Sequence, residues 1–193
     1  MGFDLYSLDY LKVGSARQRR AYDSLAELSP LSRLDVEHEG GFGLQPALVG
    51  SLPLDLALED SDLIIATFSA DLKSYSQFLR AEFGSPEGFE STRGIQLGVA
   101  TLVTRFRFKG ELYEIFTQNV PVPRQNSVVH LMVEERLLLL GGESFREKIW
   151  AARRSGMKTE PAFGAVLGLE EPYRELLELE DLDDDDLRGR FSL

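Results

Sequence analysis

Residues 46–67 read PALVGSLPLDLALEDSDLIIAT, and this stretch decides the fold because it places two short strands on either side of an acidic segment. Residues 46–49 predict a strand that ends at the Gly-Ser pair, since glycine interrupts regular structure. Residues 63–67 form a continuous apolar run, which is typical of a strand buried in the centre of a sheet. The stretch therefore predicts a buried sheet with a turn and several acids beside it.

The acids near this turn form a candidate metal site. Asp60 and Asp62 are two residues apart, and such side chains project to one face of a strand, so both carboxylates can converge on one cation. Magnesium favours oxygen ligands, and two-metal phosphoryl transfer needs carboxylates that bridge the ions. Glu114, in the later segment LYEIF, is by position the third acid, which would orient or deprotonate an attacking hydroxyl. Gly50 lets the chain approach a phosphate closely, so Gly50 and Ser51 are candidate phosphate contacts.

These signals resemble the metal and phosphate site of the nucleotidyltransferase superfamily, with its polymerase-beta-like fold. From about residue 46 to 173 the chain also looks like a small bacterial family of uncharacterised nucleotidyltransferase-like proteins, through the segments GSLPL, SDL, YEIFTQNVPVPRQN, VVHLMVEERLLL and KTEPAF. The resemblance implies an α+β fold in which helices flank a mixed β-sheet, with a helical C-terminal part from about residue 124. The implied function is transfer of a nucleotidyl group from a nucleoside triphosphate to an unknown acceptor, with Mg²⁺ or Mn²⁺ as cofactor.

One position departs from the superfamily pattern. In the family register Asp62 is the first acid, and the second belongs at position 64, where this chain has Ile64. Isoleucine supplies no oxygen ligand, so only Asp62 and Glu114 would remain on the metal. Two alternatives stay open. Either Asp60 and Asp62 act as the pair, with eight residues between Ser51 and Asp60, or the site is degenerate and binds a nucleotide or a partner protein without turnover.

A β-hairpin is predicted for residues 99–118, because the two-residue turn signal Lys-Gly separates two β-rich segments. Counting outward from the turn sets Arg105 opposite Glu114 and Arg107 opposite Leu112, all on one face. The two arginines are either nucleotide-binding residues that meet a triphosphate or members of an ordinary cross-strand ion pair. The other face belongs to the core and carries Phe106, Phe108, Tyr113 and Ile115.

The remaining segments predict helices at residues 15–28, 69–83, 126–140 and 144–154, followed by a helix from residue 159. Ser69 and Thr159 are the predicted N-caps of two of them.

The C-terminal third adds candidates for the cleft. His130 lies one turn into the helix that follows the Glu114 strand, and Gln125 stands at the start of that helix. His130 is either an acid-base group or a buried histidine with satisfied hydrogen bonds. The resemblance of KTEPAF to a family segment adds Lys158 as a nucleotide-binding candidate and Glu160 as a further cleft residue.

Composition limits the function classes. The chain has 193 residues, a formal net charge of −11 and no cysteine. This acidity argues against a broad nucleic-acid surface, which needs clustered Lys and Arg, and favours a protein or small-molecule acceptor over RNA. The lack of cysteine excludes disulfides and zinc-thiolate sites. No stretch approaches the roughly 20 apolar residues that span a bilayer, so we expect no membrane partner and a cytoplasmic protein.

The chain is expected to form one domain, residues 1–178, followed by an acidic tail. Residues 170–186 read EEPYRELLELEDLDDDD, and a like-charge block of this kind has little to bury. Residues 179–193 are therefore expected to be a disordered, solvated tail. A glycine-rich turn is predicted from Glu39, with His38 beside it at the surface.

Overall fold

The computed structural model describes residues 4–31 and 45–193. The turn predicted from Glu39 and the surface position predicted for His38 lie outside these residues. The described residues form two compact units, one that ends at Val128 and one that starts at Val129. This boundary falls inside the domain expected for residues 1–178, close to the predicted start of its helical part at about residue 124.

The first unit contains the sheet. Its helices are α1 (Asp9–Lys12), α2 (Ala16–Leu28), α3 (Leu72–Phe83) and a short 3-10 helix (Val122–Arg124). Its strands are β1 (Ala47–Val49), β2 (Leu63–Phe68), β3 (Glu87–Gln96), β4 (Val99–Phe108) and β5 (Glu111–Gln118). The strands lie in the order β1-β2-β5-β4-β3, and only the β2–β5 pair is parallel. A mixed sheet with helices confirms the predicted α+β class.

The hairpin between β4 and β5 has the predicted register. Arg105 pairs with Glu114, and Arg107 pairs with Leu112. The turn residues Lys109 and Gly110 have φ angles of 51° and 81°, as a two-residue turn that matches the strand twist requires. The turn residues in the sequence therefore predict which side chains of β4 and β5 share a face of the sheet.

Two local predictions were wrong. Strand β3 was not expected, because most of its sequence, EGFESTRGIQ, is exposed and only Phe89 and Ser91 are partly buried. Helix α3 begins later than predicted, because its N-cap is Asp71 rather than Ser69. The Asp71 carboxylate accepts bonds from the backbone N–H groups of Lys73 and Ser74, at 2.9 and 3.2 Å.

The core of the first unit lies on one face of the sheet. Phe106 of β4 and Tyr113 of β5 are fully buried and stacked, with ring centroids 5.2 Å apart, and Phe83 of α3 stacks on Phe106 at 5.4 Å. The Tyr113 hydroxyl reaches Ser24 of α2 at 2.7 Å. Helices α2 and α3 thus cover the face that the sequence assigned to the core.

The second unit is helical. Its elements are the greater part of α4 (Asn126–Arg154), then α5 (Thr159–Leu167), α6 (Pro172–Glu178) and α7 (Asp184–Phe191). Helix α4 is kinked at Gly142, which has φ 63° and ψ −160°, so the predicted break between two helices appears as a kink. The N-cap position of α5 is Lys158 and not Thr159, which is already helical and buried.

The segment expected to be a disordered tail contains helix α7. Asp183 caps it by accepting bonds from the N–H groups of Asp185 and Asp186, both at 2.9 Å. Acids in its first turn and arginines in its last turn match the helix dipole. Leu187 is fully buried, so this segment packs an apolar side chain despite its charge. No helix of the described residues has the length and apolar character to cross a membrane.

Candidate functional site

One row of paired residues crosses all five strands on the face opposite the aromatic core. Val49 pairs with Ile64, Ile64 with Glu114, Glu114 with Arg105, and Arg105 with Glu90. Paired residues on neighbouring strands share a face and lie about 5 Å apart. The structure therefore brings Ile64, Glu114 and Arg105 side by side.

The Gly-Ser turn follows directly at the end of this row. Gly50 has φ +80°, a conformation that glycine adopts without steric cost. A Cβ at this position would also lie 3.3 Å from Cδ1 of Ile64. The turn continues with the carbonyl of Ser51, which accepts a bond from the N–H of Leu56 at 2.9 Å. Glycine is thus favoured here by the backbone conformation, and a larger residue would also need Ile64 to shift by a few tenths of an ångström.

Helix α2 holds this turn and the acidic loop in place, through two residues that the sequence analysis missed. Gln18 donates from Nε2 to the carbonyl of Leu52 at 2.9 Å. Arg17 donates from Nη2 to the carbonyl of Ser61 at 2.9 Å and forms a two-pronged ion pair with Glu111, at 3.0 and 2.7 Å. Both side chains are buried, so the loops rest on satisfied hydrogen bonds.

Neither aspartate of the candidate pair lies on a strand. Strand β2 begins at Leu63, and Asp60 lies exposed in the turn of residues 58–61. In that turn the Ser61 N–H donates to the carbonyl of Leu58 at 3.2 Å. Asp62 immediately precedes β2 and is half-buried. The expectation that both carboxylates alternate along one strand is therefore wrong, because both residues precede β2 and the chain turns at Asp60.

Glu114 is engaged by Arg105. Its Oε2 accepts a bond from Arg105 Nε at 2.8 Å and a second from Nη2. The Glu114 side chain is only 12% exposed, whereas that of Arg105 is 54% exposed. A buried carboxylate is thus neutralised by a cation that reaches it from the solvent side. Arg107, on the same face, is exposed.

The residues present do not fit a magnesium or manganese site. Hard cations need several oxygen ligands, and the central position of the row is the hydrocarbon side chain of Ile64. Glu114 already pairs with a guanidinium, and Asp60 lies in the exposed turn. Across residues 4–31 and 45–193, no three His, Asp or Glu side chains are arranged to hold a metal ion.

The second unit brings His130 and Glu160 together around a buried acid. His130 Nε2 lies 2.9 Å from the carbonyl of Tyr173, so Nε2 carries the proton. Its Nδ1 lies 3.6 Å from Oε1 of Glu160. Glu134 is 2% exposed, and its Oε1 has no hydrogen-bond partner in the described part of the chain.

Burial raises the pKa of Glu134 well above its ordinary value, and the Glu160 carboxylate adds to this, while Arg153 acts in the opposite direction. Arg153 itself donates to the carbonyl of Met157 at 2.6 Å. The same two acids and burial raise the pKa of Tyr173. The second unit therefore contains a coupled group of titratable side chains that the sequence indicated only through His130 and Glu160.

The two remaining candidates are Gln125, which is buried, and Lys158, which is exposed. Gln125 is buried, and its Nε2 donates to the carbonyls of Thr67 and Val120, at 2.8 and 3.0 Å. Lys158 is exposed at the N-cap position of α5. Gln125 thus supports the end of β2, and the role assigned to Lys158 stays a prediction.

Residues 41–179 match the family described as "Domain of unknown function (DUF4269)". This match covers more than half of the chain, so the chain belongs to that family. The comparison with curated proteins gives no match.

Solved structures of RNA-modifying polymerases resemble the chain at low identity. The Cid1 poly(U) polymerase with MgGTP bound has a TM-score of 0.43 at 16% identity, over 72% of this chain and 39% of that chain. The polymerase core of TRAMP, an RNA surveillance complex, has a TM-score of 0.46 at 14% identity, over 95% and 59%. A cytoplasmic RNA terminal U-transferase has a TM-score of 0.38 at 17% identity, over 83% and 47%. The chain thus spans less than two thirds of each of these solved chains.

Proposed function

We propose that this protein binds a nucleoside triphosphate on a nucleotidyltransferase-like fold without transferring the nucleotidyl group. Ile64 is the observation that carries the proposal. It lies in the row between Val49 and Glu114, at the position where the superfamily pattern has its second acid. A hydrocarbon side chain at that position removes the carboxylate that would bridge two metal ions.

The turn at the end of β1 supports phosphate binding. Gly50 leaves the backbone uncovered at φ +80°, and the Ser51 side chain is half-buried beside it. A glycine turn of this kind lets a phosphate approach backbone N–H groups closely. Arg105 and Arg107 lie exposed on the same face of the sheet, and guanidinium groups pair well with phosphate oxygens.

Metal-dependent transfer to an acceptor is the less supported function. It would require either the Asp60–Asp62 pair or a metal held by Asp62 and Glu114 alone. Asp60 is exposed in a turn, and Glu114 is bonded to Arg105. A protein or small-molecule acceptor remains the expectation from the acidic composition, should transfer occur.

Calorimetric titration of ATP, GTP, CTP and UTP tests the binding. We expect saturable heat with at least one triphosphate. Ser51→Glu places a like charge in the turn and should abolish that heat, because the phosphates would meet a carboxylate. Ser85→Glu, at an exposed position of the same unit, is the matched control and should bind as the wild type does. Absence of binding with every triphosphate, or unchanged binding by Ser51→Glu, would refute the proposal.

A further inference from the structure

We infer that the Arg105 guanidinium takes the place of a divalent cation, so that the site binds triphosphate without any metal ion. The inference rests on the proposed nucleotide binding, and it adds which group supplies the positive charge that meets the phosphates. In the superfamily pattern the acids of this site hold a metal, whereas Glu114, the buried acid of this row, holds an arginine of the same chain.

The geometry of the pair leaves one side of the guanidinium available. Nε and Nη2 of Arg105 both donate to Oε2 of Glu114. These two nitrogens form one edge of the planar group, so Nη1 points away from the carboxylate. Nη1 has no hydrogen-bond partner within residues 4–31 and 45–193. Arg105 is thus oriented by Glu114 while it keeps N–H donors for an anion.

The buried Glu114 carboxylate restricts the orientation of the Arg105 guanidinium. The Glu114 carboxylate is largely buried, whereas the arginine is half-exposed and extends toward solvent. A cation fixed by a buried partner loses little side-chain freedom when it meets a ligand. The guanidinium therefore offers a pre-oriented positive charge at the surface of the sheet, which is the electrostatic role that a bound cation fills toward phosphates.

The exposed face around Arg105 carries charges of both signs, because the exposed Glu90 and Glu87 of β3 pair with Arg105 and Arg107. Ile64 separates Glu114 from the Gly-Ser turn and contributes no negative charge. Arg107 lies two residues from Arg105 on the same strand, and hence on the same face, and it is also exposed. Two guanidinium groups at this spacing can meet different phosphates of one triphosphate chain.

Isothermal titration with the best-bound triphosphate and with inorganic tripolyphosphate tests the inference, each in excess Mg²⁺ and in excess EDTA. We expect dissociation constants that agree within about threefold in the two conditions. Arg105→Ala should weaken binding about tenfold or more in both, because a charge-assisted hydrogen bond is lost. Arg105→Ala combined with Glu114→Gln should weaken binding similarly, and it avoids a buried unpaired carboxylate that could unfold the protein.

Arg93→Ala is the matched control. Arg93 is an exposed arginine on β3 that pairs with Leu102, and so it lies on the opposite face of the same sheet. We expect this variant to bind as the wild type does. Binding that disappears in EDTA would overturn the metal-free site while leaving nucleotide binding intact. Equal loss in Arg93→Ala and Arg105→Ala, or none in Arg105→Ala, would overturn the role of Arg105. Failure of every triphosphate to bind in either condition would instead refute the proposed function, and with it this inference.

Discussion

Replacement of Glu134 by glutamine should stabilise the second unit, and the gain should grow as pH rises. Glu134 is buried with an oxygen that lacks a hydrogen-bond partner among the described residues, and its pKa is raised well above the ordinary value of 4.5. Glutamine has nearly the same shape and does not ionise. A buried carboxyl must either stay ionised without water or take up a proton above its ordinary pKa, and both cost free energy. The substitution removes this cost and preserves the packing.

The sign and size of the effect follow from proton linkage. Because the folded-state pKa is raised, the folded protein holds a proton that the unfolded chain releases above about pH 4.5. The contribution of Glu134 to stability is thus fully present below that pH and is lost as pH rises toward the folded-state pKa. The slope is about 1.4 kcal/mol per pH unit within this window. The advantage of Glu134→Gln over the wild type should therefore increase as pH rises above about 4.5, by at most about 1.4 kcal/mol per pH unit.

Urea unfolding at a series of pH values, followed by tryptophan fluorescence, measures this slope. Trp150 is the only tryptophan of the chain and lies on α4, in the same unit as Glu134. Glu147→Gln, at an exposed position of α4, is the control and should change the pH slope much less. A difference between Glu134→Gln and the wild type that stays constant with pH, or grows on acidification, would refute the account of a buried, protonated Glu134.

Three further substitutions test the first unit by urea unfolding followed by circular dichroism. Gly50→Ala should cost about 1–2 kcal/mol, because its φ of +80° is left-handed, and an unchanged stability would contradict that conformation. Arg17→Met should cost about 3 kcal/mol by leaving the partly buried Glu111 unpaired, and Glu111→Leu in the same background should recover most of the loss. Tyr113→Phe should cost about 1 kcal/mol, and Ser24→Ala should add little to it; additive losses would argue against their hydrogen bond.

The sheet face that carries Ile64, Glu114 and Arg105 could be predicted from the sequence, because short stretches of sequence determine the turn and the strands that form it. The two-residue turn at Lys109 and Gly110 fixes the hairpin register, and the register sets Arg105 opposite Glu114. The apolar run that became β2 identified a central strand, and its position 64 fell in the row beside Glu114. Short-range turn chemistry and strand alternation therefore sufficed for this part.

The hydrogen bonds by which α2 holds the loops of the candidate site could not be predicted, because they join residues far apart in sequence. Arg17 bonds to a carbonyl 44 positions away, and Gln18 to one 34 positions away. Nothing in the helix pattern of α2 distinguishes these side chains from ordinary polar residues. The acidic C-terminal segment was likewise misjudged, since its charges hide a capped helix with one buried leucine, Leu187.

Pyrophosphate release distinguishes a protein that only binds triphosphates from a working transferase. Wild-type protein and Ile64→Asp are incubated side by side with ATP, GTP, CTP and UTP in the presence of Mg²⁺, and with Asp62→Ala as a further control. The account predicts no release above buffer by the wild type, although it binds triphosphate, and a gain of release when Ile64→Asp restores the second carboxylate. Pyrophosphate release by the wild type that Asp62→Ala abolishes would contradict the account and identify a working transferase.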